Sequence, residues 1–176
     1  DASPGMARGS WLSDPLDPVT DPFATEAGAH DYRALAQRKD LLVFETAPLH
    51  EDLRVVGPLS ARVHVSTDAP DTDLWVRLFD VEPSGTAFNL MSPGLDVQRA
   101  SYRDGGPERK LLEPGRVYEL RFDNLLTCNL FRRGHRLRLV VSAGEGGELL
   151  DLVSKDWATD ALDELERVLM VDGKEV

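Results

Sequence analysis

The stretch Leu53–Val81, two alternating apolar runs joined by a loop of turn-forming residues, restricts this chain more than any other feature. In the first run Leu59, Ala61, Val63 and Val65 fall on one side and Ser60, Arg62, His64 and Ser66 on the other. That is the two-residue period of a strand with one buried face. Leu74, Val76, Leu78 and Asp80 alternate in the same way with Trp75, Arg77, Phe79 and Val81. Between the runs, residues 66–73 are dense in Ser, Thr, Asp and Pro, which bond their own backbone or fix φ, so the chain must turn there.

The same signals recur along the chain. Further strands are predicted over 41–44, 86–91, 97–103, 117–125 and 136–142, with turns at Glu82-Pro-Ser-Gly85, Leu112-Glu-Pro-Gly115 and Arg132-Arg-Gly-His135. About seven or eight short strands, with turns every eight to twelve residues or so, describe a β-sandwich or jelly roll and not a βαβ fold. Residues 31–39 are long enough for two helical turns. Residues 1–22 hold four prolines, three of them in Asp14-Pro15, Asp17-Pro18 and Asp21-Pro22, and are expected to form an extended connector. Beyond Gly144 the chain turns acidic and helix-prone. Trp157, Ala161, Leu165 and Leu169 make one stripe at four-residue spacing, which predicts a C-terminal helix within 148–169, with an edge strand over 168–171 as the alternative.

At 176 residues the chain has length for one domain with a sizeable core. Acids outnumber bases 31 to 20, for a formal net charge of -11. That balance opposes nucleic acid and anionic membranes, because phosphate contacts need a basic surface. No apolar run approaches the roughly 20 residues of a membrane-spanning helix. The one cysteine, Cys128, excludes an internal disulfide and a multi-cysteine metal site, and slightly favours a reducing, cytoplasmic location. Its expected role is a small, half-buried side chain.

The motifs GPLSARVHVSTDAPDTDLWVRLFDVEPSG, LLEPGRVYELRFD and TCNLFRRGHRLRLVVSA, preceded by DPLDPVTD and RKDLLVFETAPL, run in one order over roughly residues 13–143. In that order they resemble the C-terminal β-sandwich of the X-prolyl dipeptidyl-peptidases and cocaine-esterase-like (CocE/NonD) acyl hydrolases. The resemblance implies an all-β jelly-roll sandwich of the galactose-binding-like type, to which the apolar stripe of the sequence adds a short C-terminal helix. It divides the chain into an Asp/Pro-rich linker and loop (1–30) and a sandwich (31–176) with a helical segment from about 149. It also implies a non-catalytic accessory role, packing on an α/β-hydrolase domain of the same or a companion chain, since the family's nucleophile lies in that separate domain. The chain begins at Asp1 without methionine or a leader pattern, and a piece of a longer protein is expected. A homo-oligomer is a further expected partnership. The family follows its Asp-Pro linker with a loop that reaches the hydrolase active site; the corresponding stretch is 23–30, which makes Phe23 a candidate substrate-lining side chain. The plainer role of a loop anchor is preferred for it. After the Gly134-His135-Arg136 strand the chain departs from the family, with SAGEGGELLDL in place of an aromatic, Asn- and Arg-containing segment.

No catalytic residue is expected. A hydrolase nucleophile needs a Gly-x-Ser-x-Gly elbow, and Ser84-Gly85 and Ser142-Ala-Gly144 lack the flanking glycines. His30, His50, His64 and His135 have no metal-ligand spacing, and neither a metal nor another cofactor is expected. His135 is read as a structural turn residue in preference to a proton-transfer group. Asp68, Asp71 and Asp73 offer alternate carboxylates that suit turn capping better than calcium. Trp11, Trp75 and Trp157 would support sugar binding only if two of them shared an exposed face. A stand-alone carbohydrate- or peptide-binding module and an assembly module are the two alternative classes.

Overall fold

A computed structural model describes residues 8–14, 16–92, 95–143 and 150–153. Nine strands form within them: β1 (Arg8–Trp11), β2 (Leu41–Glu45), β3 (Leu53–Thr67), β4 (Asp73–Val81), β5 (Ala87–Asn89), β6 (Val97–Arg99), β7 (Tyr118–Phe131), β8 (Arg136–Ala143) and β9 (Leu150–Val153). One sheet has the order β1-β9-β3-β7; the other has β2-β8-β4-β5, with β6 also pairing β4. All pairs are antiparallel. The protein is an all-β sandwich, as expected. β1 to β4 alternate between the sheets, so these connections cross the sandwich instead of folding back as hairpins.

The core lies between the sheets. Leu59, Ala61, Val63 and Val65 of β3 meet Leu74, Val76 and Leu78 of β4, with Leu120, Phe122, Leu125 and Phe131 of β7 and Leu137 and Val141 of β8. β7 places both Phe122 and Leu125 inward although they are three residues apart, which strict alternation forbids. A bulge resolves it: the register shifts between Leu59 and Ala61, so that Asp123 and Asn124 oppose the single Ser60. β9 pairs β3 only at Val65–Thr67. Among the described residues, the far side of β3 is therefore without a strand partner at Pro58, where a residue lacking N–H is tolerated.

Three expectations need correction. β4 is buried on both faces, not one: Arg77, Phe79 and Val81 are as enclosed as Leu74, Val76 and Leu78. A second apolar cluster covers that outer face, joining Phe79, Val81 and Val140 to Val19, Tyr32, Leu35, Leu41 and Ala87. Residues 1–22 are accordingly more than a connector. Arg8–Trp11 is a strand on β9, Trp11 and Val19 are core residues, and the segment 16–38 lies across the outer face as a strap. Thirdly, Leu150–Val153 opens the predicted helical segment as a strand between β1 and β3, since two sheet partners satisfy backbone groups that a marginal helix would have to bond alone. The stripe from Trp157 to Leu169 lies outside the described residues. Two local differences are smaller. Residues 31–39 form one 3-10 turn (Leu35–Gln37), and the strand expected over 97–103 stops at Arg99 and gives way to another (Ala100–Tyr102).

Candidate functional site

The strap is built around Asp21, the acid of the third Asp-Pro pair. Its carboxylate accepts bonds from the Phe23 amide at 2.9 Å and the Tyr32 hydroxyl at 3.0 Å. Beneath it, Arg77 rises from the outer face of β4 with only 4% exposure. Arg77 Nε donates to Asp96 at 2.7 Å, and Nη1 stands 3.1 Å from Asp21 Oδ2, close enough to pair by charge though not aligned for a hydrogen bond. The guanidinium also lies over Trp75, 4.2 Å from the ring centre, because residues two apart on a strand share a face. One cation thus holds two carboxylates that burial would otherwise penalise heavily. Burial and then the bond to Asp21 push the Tyr32 phenol above its usual pKa.

Between Asp21 and Tyr32 the chain closes a short loop. Phe23 and His30 stack in parallel with centroids 4.3 Å apart, and Tyr32 meets the Phe23 ring edge-on at 5.0 Å. The loop ends are clipped to β5: the Tyr32 amide donates to Ala87 O at 2.8 Å, and the Ala87 amide to Asp31 at 3.1 Å. Arg38 ties the strap further, to Asp40 and to the Asp17 backbone and side chain. Residues 24–29 at the tip are all exposed, and Gly28 holds a φ of 115°, which only glycine adopts without strain. Phe23 itself is half-buried inside this arrangement. The ring anchors the loop by contact, and the tip beside it is what faces outward.

The remaining candidates are structural. His135 Nδ1 is 2.8 Å from Asp80, whose other oxygen accepts from Asn129 at 3.2 Å. That clasp ties the turn before β8 to β4 and across the sandwich to β7. Asp71 accepts the Ser101 amide and hydroxyl and the Arg109 guanidinium, and Asp73 takes two bonds from Arg99. Partial burial alone would raise the Asp71 pKa, but these donors outweigh it and leave it lowered. Oxygens so occupied do not offer a calcium shell, and no group of three or more His, Cys, Asp or Glu suits a metal among the described residues. Ser142 is buried in β8, and the Ser84 hydroxyl is engaged with Glu82 and Thr86. Trp11 is in the core and Trp75 lies under Arg77, so these two share no exposed face; Trp157 is outside the described residues. Cys128 is exposed, not half-buried, because the bulge sets the second half of β7 with Thr127 inward and Cys128 outward.

Sequence reasoning missed the Arg77–Asp21–Asp96 group and His30. A signal for the first was present: an arginine inside the apolar run LWVRLFDV needs a buried acid, and the Asp-Pro repeats supply one.

Comparison with known proteins gives a consistent answer. A family described as the X-Pro dipeptidyl-peptidase C-terminal non-catalytic domain matches residues 5–147. Over 140 residues the chain is 36% identical to the cocaine esterase of Rhodococcus sp. (strain MB1 Bresler), an alignment spanning 76% of this chain and 24% of that protein. Among solved structures, an aminopeptidase from a marine-sediment Thaumarchaeota archaeon superposes with a TM-score of 0.72 at 27% identity, covering 84% of this chain and 31% of its own. An α-amino acid ester hydrolase shares the fold, with a TM-score of 0.73 at 23% identity, over 87% of this chain and 31% of the hydrolase. The chain therefore spans a quarter to a third of the length of these relatives.

Proposed function

The chain belongs to the X-Pro dipeptidyl-peptidase C-terminal non-catalytic domain family, and on that premise we propose that it packs on an α/β-hydrolase domain and shapes that domain's substrate pocket with the loop 23–30. The catalytic domain is carried on the same or a companion chain and supplies the nucleophile, base and oxyanion donors of a serine hydrolase acting on esters or on X-Pro peptides. This chain supplies a wall. The observation that carries the reading is the construction of the loop: Asp21 and Asp31 fix its two ends and the Phe23–His30 stack closes it, leaving 24–29 outward on a rigid base. A loop held in this way can exclude water and select substrates by shape without reorganising when substrate arrives.

The test is a chimera in which this chain replaces the matching C-terminal part of the Rhodococcus cocaine esterase. Ester hydrolysis by the chimera is expected, and replacing residues 26–29 by two glycines should lower kcat/KM by roughly tenfold through KM, as loss of pocket contacts does. Retention of full kcat/KM by the shortened loop, in a protein of unchanged Tm, would refute the pocket role. Phe23→Ala should have the larger effect on activity, because it removes the stack that closes the loop as well as a candidate lining group.

A further inference from the structure

The loop 23–30 is fastened differently at its two ends. At the Asp31 end the chain is clipped to the segment around β5: the Tyr32 amide donates to Ala87 O, the Ala87 amide donates to Asp31, and Arg33 reaches the Thr86 hydroxyl at 2.8 Å. At the Asp21 end the fastening is one side chain of β4. Two partners of the Asp21 carboxylate, the Phe23 amide and the Tyr32 hydroxyl, belong to the strap itself, so among the described residues its polar link to the sheet is Arg77, whose Nη1 stands 3.1 Å away. Arg77 is in turn held from two other directions. Its Nε donates to the fully buried Asp96, whose carbonyl accepts the Val76 amide at 2.9 Å, and its guanidinium lies over Trp75. A planar fork held in this way on a strand enclosed on both faces has one place to stand, and Asp21 must come to it.

We propose that Arg77 is the positioning residue of the pocket wall, setting through Asp21 where the loop 23–30 stands and thereby the KM of the hydrolase, an inference that rests on the reading of that loop as part of a substrate pocket. Arg77 itself is 4% exposed beneath the strap, too enclosed to touch substrate. The route to the tip is short. Asp21 Oδ1 holds the Phe23 amide in the turn that starts the loop, the Ala24 amide donates to Asp21 O at 3.3 Å, and the Glu26 amide donates to Phe23 O at 3.0 Å. A displacement of Asp21 is therefore passed on to Glu26, and a wall displaced by about 1 Å is enough to weaken a fitted substrate. Charge alone does not do this. A lysine ammonium is a single point on a flexible stem and does not hold Asp96 and Asp21 in fixed geometry at once.

The experiment compares Arg77→Lys, Asp21→Asn and the loop shortened at 26–29, singly and in pairs. In the 176-residue chain, Arg77→Lys should speed hydrogen exchange at the Phe23, Ala24 and Glu26 amides about tenfold while the β3–β7 amides keep their rates. In the esterase chimera it should raise KM about fivefold and leave kcat within about twofold. Asp21→Asn keeps an oxygen for the Phe23 amide and the Tyr32 hydroxyl and loses only the charge that faces Arg77, so it should reproduce the rise in KM, with little added by Arg77→Lys on top of it. Neither substitution should raise KM further once the loop is shortened, a non-additivity that a general loss of stability does not produce. Unchanged exchange in Arg77→Lys, or KM effects that multiply with that of the shortened loop, overturn the assignment and leave the pocket role of 23–30 standing. A shortened loop that keeps full kcat/KM overturns the pocket role and this inference with it.

Discussion

The outer faces of the two sheets are finished in opposite ways. On the sheet containing β4, the chain covers its own outer surface: Val19, Tyr32 and Leu35 of the strap lie on Phe79, Val81 and Val140, with Arg77 between two carboxylates. On the sheet containing β7, Val56, Leu126 and Leu130 stay open to water. Both faces carry apolar side chains, so hydropathy does not separate them. Among the described residues, the difference is whether the chain brings back a segment to cover the strand, and a buried cation marks where it does. Arg77 is tolerable at 4% exposure only because Asp21 arrives from the strap and Asp96 from the segment before β6. An internal partner fixes one face, whereas on the other the described residues leave Val56, Leu126 and Leu130 exposed.

The sharpest way to break this contrast is to remove the cation. Arg77→Ala takes the buried cation away from Asp96 and Asp21 and should cost about 3–5 kcal/mol, read as a shift of the urea midpoint. Replacing Tyr32 by Ala empties part of the second cluster and removes one donor from the Asp21 carboxylate, for about 3 kcal/mol. Tyr32→Phe should cost only about 1 kcal/mol, because the ring contacts with Phe23 and Phe79 remain and one hydrogen bond goes. Between those two, acid should loosen the strap before the sandwich. The hydrogen bond from Arg38 holds the Asp40 pKa below its usual value against the opposing pull of burial. A carboxylate with a lowered folded pKa contributes stability that is present above its unfolded pKa, near 4, and is lost as pH falls through the folded value. Hydrogen exchange at the Tyr32 and Arg38 amides, which bond Ala87 and Leu35, should therefore rise below about pH 4 while the β3–β7 amides stay protected. The smallest effect belongs to the bare face: Val56→Thr should change monomer stability by no more than about 0.5 kcal/mol. A large loss there would mean that this face is covered by the chain after all.

Strand existence was legible because it depends on local pattern. Leu59, Ala61, Val63 and Val65 alternate, and all four are buried; Leu137 and Val141 follow the same rule. The turns were legible through Gly85, Gly115 and Gly134, each at positive φ. The loop 23–30 could be located only through the family's motif order, and the role of Phe23 as its anchor follows from contacts with His30 and Tyr32 that no spacing foretells. The strand at Leu150–Val153 was hidden for a similar reason. A four-residue apolar segment fits helix or strand, and the neighbours that decide it, β1 and β3, are far away in sequence.

By itself, then, the sequence determined an all-β sandwich, the inward face of β3, and the lack of a Gly-x-Ser-x-Gly nucleophile in this chain. Period two and turn chemistry are properties of adjacent residues, and they act before any long-range contact forms. Only the tertiary structure decided which outer face is covered, that Asp21 and Asp96 share one buried arginine, and that the bulge at Asp123–Asn124 turns Cys128 outward. Those outcomes depend on segments tens of residues apart meeting in space. They are set there by the cost of leaving a charge or a backbone group buried without a partner.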